Sequence, residues 1–240
     1  MGAVKLADLR VIILDPDPTK HHQEMIRSVL TLLDVTRGEI DPEFLSLGVL
    51  RSRGLLTRTV DQRTLREYDL VSNAHYSTRF NIARFLVPIL CQGGMALFVD
   101  CDTVFERDPR EMLREVPSRL PLSVVKHEHE PTRSVKMMEQ AQNAYPRKNW
   151  SSVMLFNCDH PANRRLSLWD VNHRTRQELH SLYWLHDDEI GSLDPAWNWL
   201  VNEQPKPDNL GIAHFTNGGP FNDGWPGAEH DDLWLKHAGG

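Results

Sequence analysis

Cysteine is scarce in this chain: three residues in 240, at positions 91, 101 and 158. They share no metal-finger spacing and cannot all pair, so the simplest reading is reduced intracellular thiols. No apolar run approaches the length that spans a bilayer, and the N-terminus lacks the apolar core of a signal peptide. Leu6 breaks the N-myristoylation pattern. These absences predict a cytoplasmic protein, whose Asn149-Trp150-Ser151 sequon never meets the glycosylation machinery. Positive charge is in deficit: 27 Lys and Arg against 33 Asp and Glu leave a net charge of −6. Nothing global draws such a chain toward nucleic acid or anionic membrane, although a locally basic groove stays open. There is no internal repeat, low-complexity tract or convincing linker. The expectation is one domain over residues 1–240, with 40% hydrophobic and 25% charged residues, ordinary values for a soluble globular protein with a substantial core.

Strand and helix patterns alternate in the first two thirds of the chain. A strand is expected at 10–14, closed by Asp15-Pro16-Asp17-Pro18, then a helix at 19–33 with Met25, Val29, Leu30 and Leu33 on one stripe. A second strand is expected at 44–50. Residues 78–90 read as a helix with Pro88 near its end. Further strands are expected at 95–99, 121–126 and 152–157, and short helices and loops thereafter. This order predicts an α/β fold with a mixed, mostly parallel sheet flanked by helices. In such sheets ligands gather at the carboxyl ends of the strands, where Asp15, Asp100 and Asp102 all fall.

The stretch from Met95 to Phe105 is the most informative. An apolar run, Met95 to Val99, reads as a strand buried on both faces. It ends in Asp100-Cys101-Asp102. Alternation along extended chain points the two carboxylates to the same side. Two hard oxygen ligands at that place can hold Mg²⁺ or Mn²⁺ with coordination positions left for substrate phosphates. The competing reading is a strand end with an Asx turn.

Several segments, taken in order, resemble a known group. They are TRFNIARFLVPIL (78–90), FVDCDTVF (98–105), Val125-Lys126-His127, NWSSVMLFN (149–157), WLHDDEIGSLDPAWNW (184–199) and HFTNGGPF (214–221). Together they look like small bacterial and phage glycosyltransferases related to glycosyltransferase family 8, which have the GT-A fold. The resemblance covers nearly the whole chain from Val11. It implies that Asp100 and Asp102, with Cys101 between them, bind Mn²⁺ (or Mg²⁺) and the diphosphate of a UDP-sugar donor. It also implies that His214 is a third metal ligand, and that Gly218 and Gly219 open a loop to a phosphate. Arg84 matches an arginine that contacts the donor, Asn149 an asparagine near the sugar, and Asp15 an acid set against the base and ribose. Asp187 and Asp188 match the acidic segment beside the anomeric carbon, where many relatives carry Gln at the position of Asp188. The family's lysine after the glycines is missing, because Phe221-Asn222-Asp223 stands there. Arg84 or Lys126 is then the expected second cation on the diphosphate, with Lys20 the next candidate.

Each match has a plainer reading on residue chemistry alone. These are a core or surface histidine, a simple glycine turn, a surface arginine and a solvated strand-end lysine. For Asp187-Asp188-Glu189 it is a helix-start acidic cluster. Trp150, Trp197 and Trp199 read either as sugar platforms or as core. The expectation is a metal-dependent hexosyltransferase acting, by family analogy, with retention. Its acceptor is open among a glycan, a small metabolite and a modified DNA base. The alternatives are a nucleotidyltransferase or phosphohydrolase using the same acid pair, and a non-catalytic carbohydrate- or nucleotide-binding module.

Overall fold

The computed structural model describes residues 9–15, 22–61, 68–75, 81–91, 93–117, 119–127, 135–136, 140–141, 147 and 150–236. Nine of its strands build the two sheets that carry the site. In chain order they are β1 (Leu9–Asp15), β2 (Glu43–Ser46), β3 (Met95–Val99), β4 (Thr103–Phe105) and β5 (Leu122–Val124), followed by β6 (Val153–Asn157), β7 (Ile190–Ser192), β8 (Trp199–Leu200) and β9 (Ile212–His214).

Six of them form one sheet in the order β7-β5-β6-β3-β1-β2. Strand β1 is parallel to β2 and β3, and β7 is parallel to β5. Strand β6 runs against both of its neighbours, β3 and β5. The sheet is therefore mixed and mostly parallel. Its side chains alternate between two cores. Leu9, Val11 and Ile13 of β1, Met95, Leu97 and Val99 of β3, and Val153 and Leu155 of β6 face one side. Ile12, Leu14, Ala96, Phe98, Met154 and Phe156 face the other. Cover on both faces explains why β3 has no polar residue. Each large aliphatic side chain so buried contributes about 1.5–3 kcal/mol.

The helix α1 (His22–Val35) covers the first face, where Met25 and Val29 of the expected stripe pack against the core but Leu30 does not. Leu32 is buried with the polar residues Glu24, Ser28 and Thr31, whereas Leu30 is exposed. The cause is β4, against which α1 also packs. Ser28 Oγ lies 3.0 Å from Thr103 Oγ1, and Thr31 Oγ1 accepts from the Phe105 amide at 3.1 Å. A face that docks through hydroxyls is invisible to an apolar count.

Two other expectations change. The strand expected at 44–50 ends at Ser46, and Leu47 starts the helix α2 (Leu47–Ser52), which buries Leu47 and Leu50 three residues apart. Within 78–90, the described part is a 3₁₀ turn, Ala83–Leu86, leading into the short helix α3 (Val87–Leu90). Pro88 stands at the beginning of α3, where its missing N–H costs nothing, and not at a helix end.

The remaining three strands form a second sheet in the order β8-β9-β4, with β9 antiparallel to β4 and parallel to β8. Trp199, Ala213, Phe215 and Trp234 fill a third core around it. Trp197 and Trp199 are wholly buried, which makes them core. Because only three residues separate Val99 from the start of β4, the two sheets join at Asp100–Asp102. Among the described residues, no helix is long and apolar enough to cross a membrane.

Candidate metal and donor site

The acid pair leaves the carboxyl end of β3 as expected, but by a turn and not by strand alternation. The Asp100 amide donates to Ser152 O at 3.0 Å, extending the β3–β6 ladder by one step. The chain then bends at Cys101 and Asp102, and Thr103 Oγ1 closes the bend on Asp100 O at 2.9 Å. The Phe215 amide donates to Asp102 O at 2.9 Å, bringing the end of β9 alongside. Ligand atoms of Asp100, Asp102 and His214 all lie within 4.8 Å of one another. His214 Nε2 is 3.3 Å from Asp102 Oδ1. The donor set, two carboxylates and one imidazole, suits Mn²⁺ better than Mg²⁺.

Burial drives the electrostatics. It pushes the Asp100 carboxyl up to about 6, against the charge of Arg84, and the neighbouring Asp102 charge adds to the rise. Burial also raises Asp102, but the charge and hydrogen bond of His214 outweigh it and hold that carboxyl below its ordinary value. One acid is thus readily protonated and its neighbour is held ionised. Burial raises the Cys101 thiol, helped by both aspartate charges, so its side chain is a neutral thiol and not a thiolate ligand.

Arg84 is buried, which removes the surface-arginine reading. Its guanidinium donates from Nη2 to Asp100 Oδ1 at 2.7 Å and from Nη1 to Ser151 O at 2.6 Å. It also lies over the Phe98 ring, 5.2 Å from the centroid. Behind His214 runs a buried polar chain. Its Nδ1 is 3.2 Å from Asn198 Oδ1, and Asn198 Nδ2 is 3.0 Å from His127 Nε2 and 2.9 Å from Ser152 Oγ. His127 is lowered to about 4, by burial first and the His214 charge second, so it is neutral at pH 7. Residue chemistry did not single out Asn198, Ser152 or His127. A short polar residue between two tryptophans, as Asn198 stands in Trp197-Asn198-Trp199, was the available signal.

The other expected residues divide by position. Ile13 pairs with Val99, so Asp15 and Cys101, each two residues further on, reach the same sheet edge. Lys126 follows β5 at that edge too, with Nζ 5.8 Å from the centroid of the half-buried Trp150 ring. Gly218 has φ +99°, and a Cβ there would meet Asn222 Oδ1 at 2.5 Å. The Gly218 amide donates to Phe215 O and the Gly219 amide to Asn222 Oδ1, each at 2.9 Å. Both N–H groups are therefore engaged within the loop. Asp187 pairs with Arg147, whose guanidinium is 5.9 Å from the Trp150 ring, and Glu189 pairs with Arg165. Asp187 and Asp188 precede β7, which runs in the same direction as β3, so they lie toward the opposite edge from Asp100. The structure does not bring them into the metal cluster. Asn149 and Lys20 lie outside the described residues.

The chain has the GT-A fold. It superposes on the glycosyltransferase GlyE of Streptococcus pneumoniae with a TM-score of 0.57 at 12% identity, covering 95% of this chain and 60% of GlyE. An active-site variant of LgtC gives a TM-score of 0.57 at 12% identity over 96% of this chain and 95% of LgtC. The galactosyltransferase LgtC in complex with donor and acceptor sugar analogues gives 0.55 at 12% identity. In sequence the chain is 41% identical over 166 residues to Protein CDI of Arabidopsis thaliana, a match spanning 67% of this chain and 64% of that protein. No family model matches the chain.

Proposed function

We propose that this protein is a metal-dependent glycosyltransferase of one GT-A domain over residues 1–240, related to glycosyltransferase family 8. It moves a hexose from a UDP-sugar to a hydroxyl acceptor. The observation that carries the reading is the convergence of Asp100, Asp102 and His214 within 4.8 Å at the carboxyl edge of a GT-A sheet. These three residues would hold Mn²⁺, which when bound supplies positive charge against the diphosphate as it leaves. Arg84 holds the Asp100 carboxylate in place, Asp15 receives the nucleoside, and Lys126 supplies the cation that the family's missing lysine would have given. Asp187 and Asp188 are assigned to the donor sugar, as the resemblance implies, and retention rests on the same resemblance. In LgtC, donor and acceptor sugar analogues occupy one complex, which supports a sugar acceptor here.

The test is incubation with UDP-sugars and Mn²⁺ while UDP release is followed by chromatography. Slow UDP and free-sugar release, lost in EDTA and in Asp100→Ala and Asp102→Ala, is the expected result. Asp100 is buried against Arg84, so circular dichroism is recorded on both variants to show that each is folded before its activity is compared. Full activity in EDTA would overturn the metal mechanism, and nucleoside triphosphate turnover in place of UDP-sugar turnover would favour a nucleotidyltransferase or phosphohydrolase.

A further inference from the structure

We propose that Cys91 and Cys158 form a modification site, a thiol pair that peroxide closes into a reversible disulfide. The proposal is independent of the metal site, because the pair lies at the other end of the sheet. Strand β6 runs antiparallel to β3, with Asn157 paired to Met95 and Val153 to Val99. Cys158 is therefore level with Gly94, roughly 20 Å down the sheet from Asp100 at the usual rise of a strand. Cys91 follows α3, which packs against both β3 and β6. The two ends are clasped together. The Cys158 amide donates to Gly94 O and the Gly94 amide to Asp159 Oδ2, each at 2.9 Å. Gly93 permits that clasp, since a Cβ there would meet Asp159 Oδ1 at 2.7 Å. Both cysteines border the same core, Cys91 buried and Cys158 half-buried, and both are free thiols.

The two thiols hydrogen-bond each other, and the charge of Arg10 reaches both. The hydrogen bond from Cys158, helped by Arg10, outweighs burial and holds the Cys91 thiol below its ordinary value. Cys91 is thus the sulfur that ionises first, and a thiolate beside a second thiol is the arrangement that peroxide oxidises selectively. Peroxide is small enough to reach Cys91 past the half-buried Cys158. The Cys91 thiolate attacks one peroxide oxygen, the O–O bond breaks, and hydroxide leaves with the proton that Cys91 shed. The Cys158 sulfur then attacks the sulfur of the resulting sulfenic acid. The S–O bond breaks, and hydroxide takes the Cys158 proton to become water. Two thiols are oxidised to one disulfide while one peroxide is reduced to two waters. The bridge closes a loop of roughly 70 residues and ties the end of α3 to the end of β6.

The test treats the 240-residue chain with hydrogen peroxide in EDTA, so that no metal consumes the oxidant. Free thiols are counted by alkylation after denaturation, and the bridge is located by peptide mass spectrometry. The expected result is a fall from three free thiols to one, with Cys91 linked to Cys158 and Cys101 left free at the metal-site edge. Dithiothreitol should restore all three. The oxidised protein should melt roughly 5–15 °C above the reduced one. Three remaining thiols, a bridge to Cys101, or irreversible oxidation of Cys91 without a bridge would overturn the proposal. A bridged protein whose melting temperature is unchanged or lowered would overturn it too, since the backbone would then have had to move to join the sulfurs. Those readings need no variant to fold, no Mn²⁺ and no UDP-sugar, so they stand apart from the fate of the proposed function. In Cys158→Ser, dimedone should label Cys91 as a trapped sulfenic acid. A folded Cys158→Ser without that label would overturn Cys91 as the attacking sulfur.

Discussion

Lowering the pH from 7 to 5 should weaken Mn²⁺ binding about tenfold through Asp100 alone. Burial places the Asp100 carboxyl at about 6. A group at that value is roughly 90% ionised at pH 7 and roughly 9% at pH 5, and coordination requires the carboxylate. Asp102 is held below its ordinary value and keeps its charge throughout that window. Affinity therefore climbs with pH through 6 and levels off above 7. The same displacement bears on stability with the opposite sign. The native carboxyl binds its proton more tightly than the unfolded one at 3.8. Its contribution is thus most favourable below pH 3.8 and is lost as pH rises through 6. The move from 3.8 to about 6 corresponds to roughly 3 kcal/mol of native-state strain in the metal-free protein at pH 7. Bound Mn²⁺ should offset it and raise the melting temperature more at pH 7 than at pH 5. Calorimetric titration of Mn²⁺ at both values, with the fold checked by circular dichroism, decides the matter. A dissociation constant that does not change between pH 7 and pH 5 would refute the placement of Asp100 as a buried, proton-competing ligand.

His214→Ala should lower Mn²⁺ affinity and donor affinity together by about 10–100-fold; an unchanged Mn²⁺ titration would make His214 a bystander. Arg84→Ala and Lys126→Ala should separate cleanly. Loss of Arg84 leaves Asp100 without its charge partner, raises that carboxyl further and costs about 3–5 kcal/mol of stability, as breaking a buried pair does. Loss of Lys126 should instead weaken UDP binding at saturating Mn²⁺ with the melting temperature unchanged, and UDP affinity equal to wild type would send the search for the second cation elsewhere. Asp188→Asn should retain much of the activity if Asp188 positions the sugar, and abolish it with donor binding intact if Asp188 is a nucleophile; a sugar ester trapped on Asp188 and detected by mass spectrometry would reject the positioning role.

The sheet was legible because its strands obey a simple rule. Residues 95–99 and 153–156 are apolar on both faces, and burial on both faces is what that pattern means. The acid pair was legible because two carboxylates following such an apolar strand break its pattern and need a partner such as a cation. What escaped was polar burial. Ser28 and Thr31 dock α1, Arg84 pairs with Asp100, and Asn198 backs His214, each through bonds to residues distant in sequence. A hydroxyl or guanidinium that is buried because a partner awaits it looks, in one dimension, like any surface residue.

The acidic segment at 187–189 shows where resemblance and geometry supply different things. Ile190 pairs with Leu122, Leu122 with Phe156, and Phe156 with Ala96, so the start of β7 is level with Ala96. Ala96 lies three residues before Val99, roughly 10 Å down the sheet at the usual rise of a strand. Asp188 stands two residues further still. A donor whose diphosphate sits between Asp100 and Asp102 can present its sugar to Asp188 only by folding back along the sheet face, beneath its own phosphates. Asp187, drawn toward Arg147 beside the Trp150 ring, is placed to meet a sugar arriving by that route. An extended donor would leave both acids idle. Arg147→Ala is therefore informative, because releasing Asp187 should raise the donor KM if the sugar folds back. It should change nothing if the donor is extended. The comparison of KM for UDP-sugar against the binding constant for UDP alone isolates that effect, since UDP lacks the sugar that the acids would hold.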